Sequence, residues 1–135
     1  MLKIVPYSKE LLASFIYNGV ECEITGGQII PMVEFYNRLG ECCVGLVDDK
    51  VIGIGGIYKL WENSGGCFLF LNREAQNHKK DIFKVLVQHM NTLLKKYEIK
   101  TLIVECLDDS LEANRLLAHL GFKRQKEIKM AFYIR

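Results

Sequence analysis

The chain has 135 residues, half of them hydrophobic and a quarter charged, with two prolines and a net charge of +2. That is enough to bury one core and too little for two, and the composition excludes a disordered or fibrous protein. No apolar run approaches the roughly 20 residues needed to cross a bilayer, and Met1-Leu2-Lys3-Ile4-Val5-Pro6 carries no apolar signal region, so the expectation is one soluble cytoplasmic domain with no membrane partner.

Leu2 to Pro6 reads as a short strand, ended by a proline that cannot donate to a ladder. Ser8 is placed to cap a helix over Glu10–Asn18, with Leu11, Leu12, Phe15 and Ile16 on one stripe and Gly19 stopping it. Signals are mixed over residues 20–30, and a second helix is expected from Pro31, in its first turn, to Leu39. From Glu41 the period changes. Cys42–Val47 and Lys50–Tyr58, joined at Asp48-Asp49, read as a tight antiparallel hairpin. Gly53, Gly55 and Gly56 weaken its second strand unless a backbone or a ligand approaches closely. Trp61–Gly66 reads as a loop and Cys67–Asn72 as an apolar strand buried on both faces.

A long amphipathic helix is expected over Asn77–Tyr97, where Ile82, Phe83, Leu86, Met90, Leu93, Leu94 and Tyr97 recur at three- and four-residue steps. Lys100–Leu107 is a second apolar strand, so strand, helix and strand make a right-handed crossover with the two strands parallel. Asp109 or Ser110 caps a last helix, with Leu111, Leu116, Leu117 and Leu120 on its buried side and Gly121 at its end; Ile128–Ile134 is a final strand. The fold class is α/β: a mixed central sheet with helices on both faces and a long helix crossing between two parallel strands.

Charge is uneven: residues 1–72 hold 5 Lys/Arg against 8 Asp/Glu, residues 73–135 hold 13 against 8. The basic half suits anionic cofactor phosphates, but a lysine face on a long helix is ordinarily solvated, and nucleic acid is not the expected partner. The five cysteines lie mostly in apolar runs without metal-binding spacing, which indicates buried reduced thiols and no metal site.

The order of elements, closed by Leu120-Gly121-Phe122, resembles the GCN5-related N-acetyltransferases (GNAT) over nearly the whole chain. The resemblance implies acetyl-CoA as cofactor and a small-molecule or protein amine as acceptor. In that family, alternating glycines after the fourth strand let backbone N–H groups at a helix N-terminus hold the pyrophosphate. Here the turn is His78-Lys79-Lys80-Asp81-Ile82-Phe83, without glycine and with a carboxylate at its mouth. That argues for weakened CoA binding, offset in part by the charges of His78, Lys79 and Lys80. The cofactor-binding positions carried over are Leu71, Asn72, His78, Lys79, Lys80 and Ile82.

Leu117 stands where many members place a tyrosine that protonates the leaving thiolate, and leucine has no proton to give. The resemblance further implies a strand bulge near Phe70–Asn72 that exposes amides to the thioester carbonyl. Candidate catalytic bases are Glu105 and Asp108, then Asp109 and, more weakly, Glu62; each needs a raised pKa in a cleft to serve. His89 and His119 read as packing or surface residues. After Gly121-Phe122 only thirteen residues remain, which form a tight hairpin around Gln125-Lys126 or a single strand.

Ile54-Gly55-Gly56, the aromatic strand Cys67-Phe68-Leu69-Phe70, the glycine-free turn and Leu117 together are similar to acetyltransferase-like proteins of tailed bacteriophages, the internal virion protein A type among them. That likeness implies a phage protein in the virion or the host cytoplasm. It also opens a second function class, a non-catalytic scaffold that binds a virion or host protein.

Overall fold

The computed structural model describes residues 2–17, 26–107, 111–125 and 130–135. The β-branched and aromatic runs form β1 (Leu2–Pro6), β2 (Gly40–Val47), β3 (Lys50–Trp61), β4 (Ser64–Leu71), β5 (Thr101–Leu107), β6 (Lys123–Gln125) and β7 (Met130–Ile134). They make one sheet in the order β1-β2-β3-β4-β5-β7-β6, antiparallel except where β4 meets β5. The helices are α1 (Lys9–Tyr17), α2 (Gly26–Leu39), α3 (Lys79–Lys96) and α4 (Leu111–His119). Ser8 caps α1 as expected, its Oγ accepting from Leu11 N–H at 3.2 Å.

Apolar spacing divides the helices between the sheet's two faces. Leu12 and Phe15 of α1 and Val33 of α2 pack with Val44, Val51 and Ile54 on one face. Met90 and Leu93 of α3 and Leu117 of α4 pack with Ile57, Leu102 and Val104 on the other. The mixed sheet and the β4–α3–β5 crossover are those expected from the sequence.

Three boundaries differ from the sequence reading. α2 begins at Gly26, so Pro31 lies inside it and forfeits one helical hydrogen bond. Trp61–Gly66 is no loop: β3 runs to Trp61, turns at Glu62-Asn63 and re-enters as β4 at Ser64. Its glycines have a steric cause, since a Cβ on Gly66 would lie 2.5 Å from the Tyr58 ring. The long helix starts at Lys79, behind a 3₁₀ segment, Arg73–His78. The C-terminal residues do form a hairpin, Lys123 pairing Ile134 and Gln125 pairing Phe132. Gly19, Asp109 and Ser110 lie outside the described residues.

Leu120-Gly121-Phe122 is turn chemistry. Gly121 takes φ +93°, Phe122 N–H donates to Leu117 O at 3.0 Å and Gly121 N–H to Ala118 O at 3.1 Å. This is a Schellman cap whose apolar partners, Leu117 and Phe122, share one core. α3 ends the same way, with Ile99 N–H on Leu94 O at 2.9 Å and Glu98 N–H on Lys95 O at 3.3 Å, yet Glu98 sits at φ +55° without glycine's freedom. Glu98→Gly should therefore stabilise the protein by about 1 kcal/mol, read as a higher denaturant midpoint.

Burial pushes the Cys42 and Cys67 thiols up from 9.0 to about 12. A raised folded-state pKa contributes stability that is complete below the unfolded value and is lost as pH rises toward the folded one. Thermal stability should accordingly fall between about pH 9 and 12, and Cys67→Ala should flatten that part of the profile.

Candidate functional site

β4 and β5 are partners only at Ser64↔Thr101, Gly65↔Leu102 and Gly66↔Ile103. Beyond them β4 continues to Leu71 and β5 to Leu107 without pairing to each other. The gap opens at the C-terminal ends of parallel strands, where open α/β sheets take ligands.

Hydrogen-bond parity shows what faces this gap. Asn72 N–H donates to Ile52 O at 3.0 Å, so the even-numbered residues of β4 bond β3 and the odd-numbered ones turn toward β5. The same phase appears at the base of the gap, where Lys100 and Thr101 N–H groups reach Asn63 O at 2.7 and 3.1 Å. Leu102 exchanges bonds of 3.1 and 2.9 Å with Arg135, which turns the odd-numbered residues of β5 toward β4. Backbone groups of Leu69 and Leu71 thus look across the gap at those of Glu105 and Leu107, and no described strand lies between them. Sheltered backbone groups require partners, and an extended ligand with its own amides would supply them.

The expected bulge near Phe70–Asn72 is absent. The β3–β4 ladder runs without a shift from Lys59↔Gly65 to Gly53↔Leu71, and its irregularity lies at the other end, between Lys59 and Trp61. Divergence from β5, not a bulge, frees the Leu69 and Leu71 amides. Asn72 is committed to the corner that follows: Nδ2 donates to Val51 O at 2.9 Å and Oδ1 accepts from Ala75 N–H at 3.3 Å. Its side chain therefore positions the turn.

At the start of α3, His78 is the N-cap residue without a side-chain cap bond, and its Nε2 lies 3.6 Å from Glu74 Oε1. Lys79, Lys80 and Asp81 are exposed. Ile82 is not part of this surface: it is buried with Val47, Ile52 and Ala75, and helix geometry spends its N–H on the His78 carbonyl. The donors left to an anion belong to the turn before it.

Of the candidate bases, Glu105 lies in β5 beside the gap, in register with Phe132 of β7. Asp108 and Asp109 fall outside the described residues. Glu62 sits at the β3–β4 turn, before β4 begins, whereas the gap opens toward the C-terminal end of β4. Leu117 is a buried core residue, as its identity requires. Tyr7 donates to Glu34 at 3.4 Å, with burial first and that carboxylate second pushing its pKa to about 12. Tyr97 donates to Glu41 at 3.2 Å, beside the Glu41–Lys96 ion pair.

Two features of the site go further than the sequence reading, which takes the aromatic strand Cys67-Phe68-Leu69-Phe70 only as part of a resemblance. On the α2 side of β4, Phe68 and Phe70 (centroids 5.7 Å apart) form a wall with Tyr36, itself stacked on Tyr58 at 4.0 Å. Aromatics at alternate positions of one strand were the available signal. On the α3 side, an apolar cavity of about 140 Å³ lies between the sheet and the helix. Among the described residues no cluster of metal-ligating side chains exists and no helix is long and apolar enough to cross a membrane.

No protein-family model matches the chain, and no curated protein is detectably similar to it in sequence. Solved structures are similar to it in three dimensions. An acetyltransferase from Streptococcus agalactiae is similar at TM-score 0.76 and 13% identity, covering 99% of this chain and 97% of that one. An acetyltransferase of the GNAT family from Staphylococcus aureus gives 0.72 at 17% identity, over 100% and 98%. The fold is that of the GNAT acetyltransferases. A putative acetyltransferase from Salmonella typhimurium, solved with its cofactor acetyl-CoA, shares it at TM-score 0.73 and 12% identity, over 99% and 92%. The GNAT fold thus spans this chain nearly end to end, despite a glycine-free first turn in α3.

Proposed function

We propose that this protein transfers an acyl group from a CoA thioester to an amine. The observation that carries the reading is the strand gap, in which the Leu69 and Leu71 amides face away from β3 with no described strand to receive them. The described residues fit the group: the β4 and β5 edges offer backbone partners for the pantetheine amides, and Lys79 and Lys80 offer charge for the phosphates. A bound CoA thioester supplies an activated carbonyl, whose new C–N bond forms as its C–S bond breaks, the thiolate leaving with the electron pair and the amine losing a proton.

The chain's own contribution is positioning and polarisation. The Leu69 and Leu71 N–H groups are held by the ladder at their flanks and need no reorganisation to stabilise an oxyanion. Glu105, on the β5 edge of the gap, is the proposed acceptor for the amine proton, with Asp108 next. Leu117 leaves the thiolate without a protein acid. A thiol with an ordinary pKa of about 8.5 is a tolerable leaving group without one, so the step is slowed rather than prevented.

The second reading, a tailed-phage scaffold for a virion or host protein, is favoured by the glycine-free α3 turn and by Leu117. One experiment separates the two: purified protein is mixed with acetyl-CoA and a panel of amines, and released thiol is followed together with melting temperature. Thiol release that depends on the amine supports the transferase. If millimolar acetyl-CoA neither raises the melting temperature nor releases thiol, the scaffold reading takes its place.

A further inference from the structure

We infer that the acyl group this site takes is a medium-length aliphatic chain of about six carbons, lodged in the apolar cavity beneath α3. The inference rests on the acyltransferase reading and names its donor class. The cavity begins at the strand gap, where Leu69, Leu71 and Val104 line it, and runs under α3 across β3 to Gly45 on β2. Two strands line it with glycine on the α3 face, Gly45 of β2 and Gly53 and Gly55 of β3, beneath Leu86 and Met90; Leu71 and Leu69 lie close beside Gly53 and Gly55, and the space beside Gly45 is the more open.

Its walls decide what it holds. Apart from cysteines, His89 is the one polar side chain among the described lining residues. Burial pushes the Cys43 thiol up to about 11 and that of Cys67 to about 12, so both line the cavity uncharged. Leu117, which gives the reaction no acid, gives this cavity a further apolar wall.

Water needs several polar partners and is poorly served there, whereas an apolar cavity of roughly 150 Å³ accommodates a six-carbon ring. At about 140 Å³ this one is of that size. An acetyl group would leave most of it empty. The pantetheine arm, with two amides, belongs in the gap beside the backbone donors and not against these walls.

Calorimetry with acetyl-CoA and hexanoyl-CoA on the intact protein tests the inference, with methyl NMR of Leu69, Leu71 and Leu86 as a readout independent of turnover. Burial of each added methylene is worth about fourfold in affinity, so hexanoyl-CoA should bind on the order of 100-fold more tightly than acetyl-CoA. The leucine methyls should shift with hexanoyl-CoA and much less with acetyl-CoA. Gly45→Val narrows the far end where a Cβ meets nothing nearer than Leu2 Cδ1 at 3.4 Å, and it should shrink the hexanoyl preference. Equal affinities with unmoved methyls would overturn the acyl pocket and leave the acyltransferase reading standing. Binding of neither thioester would overturn both.

Discussion

Reversing charge at the start of α3, with Lys79→Glu and Lys80→Glu together, should weaken binding of a CoA thioester on the order of 10–100-fold at low salt. Both lysines are exposed in the turn that precedes the first α-helical bond, and Asp81 beside them already opposes an anion. Family glycines would give the phosphates a backbone cradle, which salt screens little; exposed lysines give charge, which salt screens strongly. The wild-type affinity should therefore fall steeply between 0.05 and 0.5 M salt, roughly the range over which the Debye length shrinks from ~14 to ~4 Å, and in the double variant, whose reversed charges repel the phosphates, that fall should be lost or inverted. A wild-type affinity independent of salt would show that backbone donors hold the phosphates after all.

Leu102→Ala should cost about 2–5 kcal/mol, the range for deleting a fully enclosed leucine. Leu102 is 1% exposed, packs with Ile57, Met90, Leu93 and Leu120, and sits on β5 at the second of the three registers joining it to β4. Met90→Ala belongs low in the same range, because Met90 borders the cavity and has fewer atoms around it to lose. Chemical denaturation with both variants checks the order. An equal or larger loss for Met90→Ala would show that α3 packs more tightly on the sheet than the cavity allows.

Element order was legible from residue period because each long segment buries one clear face: the α3 stripe through Met90 and Leu93, the alternation of β2, the Leu-Gly-Phe cap after α4. What failed was governed by partners distant in sequence. Gly65 and Gly66 look like loop residues, yet they are strand residues because Tyr58 lies against one face of β4 and β5 pairs its edge. Gly26 and Gly27 have poor helix propensity but extend α2 to a start five residues before Pro31.

The site divides in the same way. The parallel gap followed from the crossover, whereas the missing bulge is a matter of backbone register that side-chain identity does not encode. The glycines of β3 carried a real signal with a split meaning. A Cβ on Gly56 would meet Cys42 Sγ at 2.7 Å and one on Gly55 the Phe68 carbonyl oxygen at 2.9 Å, so close strand approach is part of the reason for both. Gly53 and Gly55 line the cavity, and that role appears only once register places them beside Gly45 and under Leu86.

The central claim is that the divergence of β4 and β5 makes a thioester site from the amides of Leu69 and Leu71. Titrating ¹⁵N-labelled protein with acetyl-CoA, and following amide resonances by residue, tests it most directly. The account predicts saturable shifts at Leu69, Leu71 and Glu105, moving with one dissociation constant together with Lys80 and Asp81 at the head of α3. Shifts confined to the exposed lysines, with the amides of β4 and β5 unmoved at saturation, would contradict it.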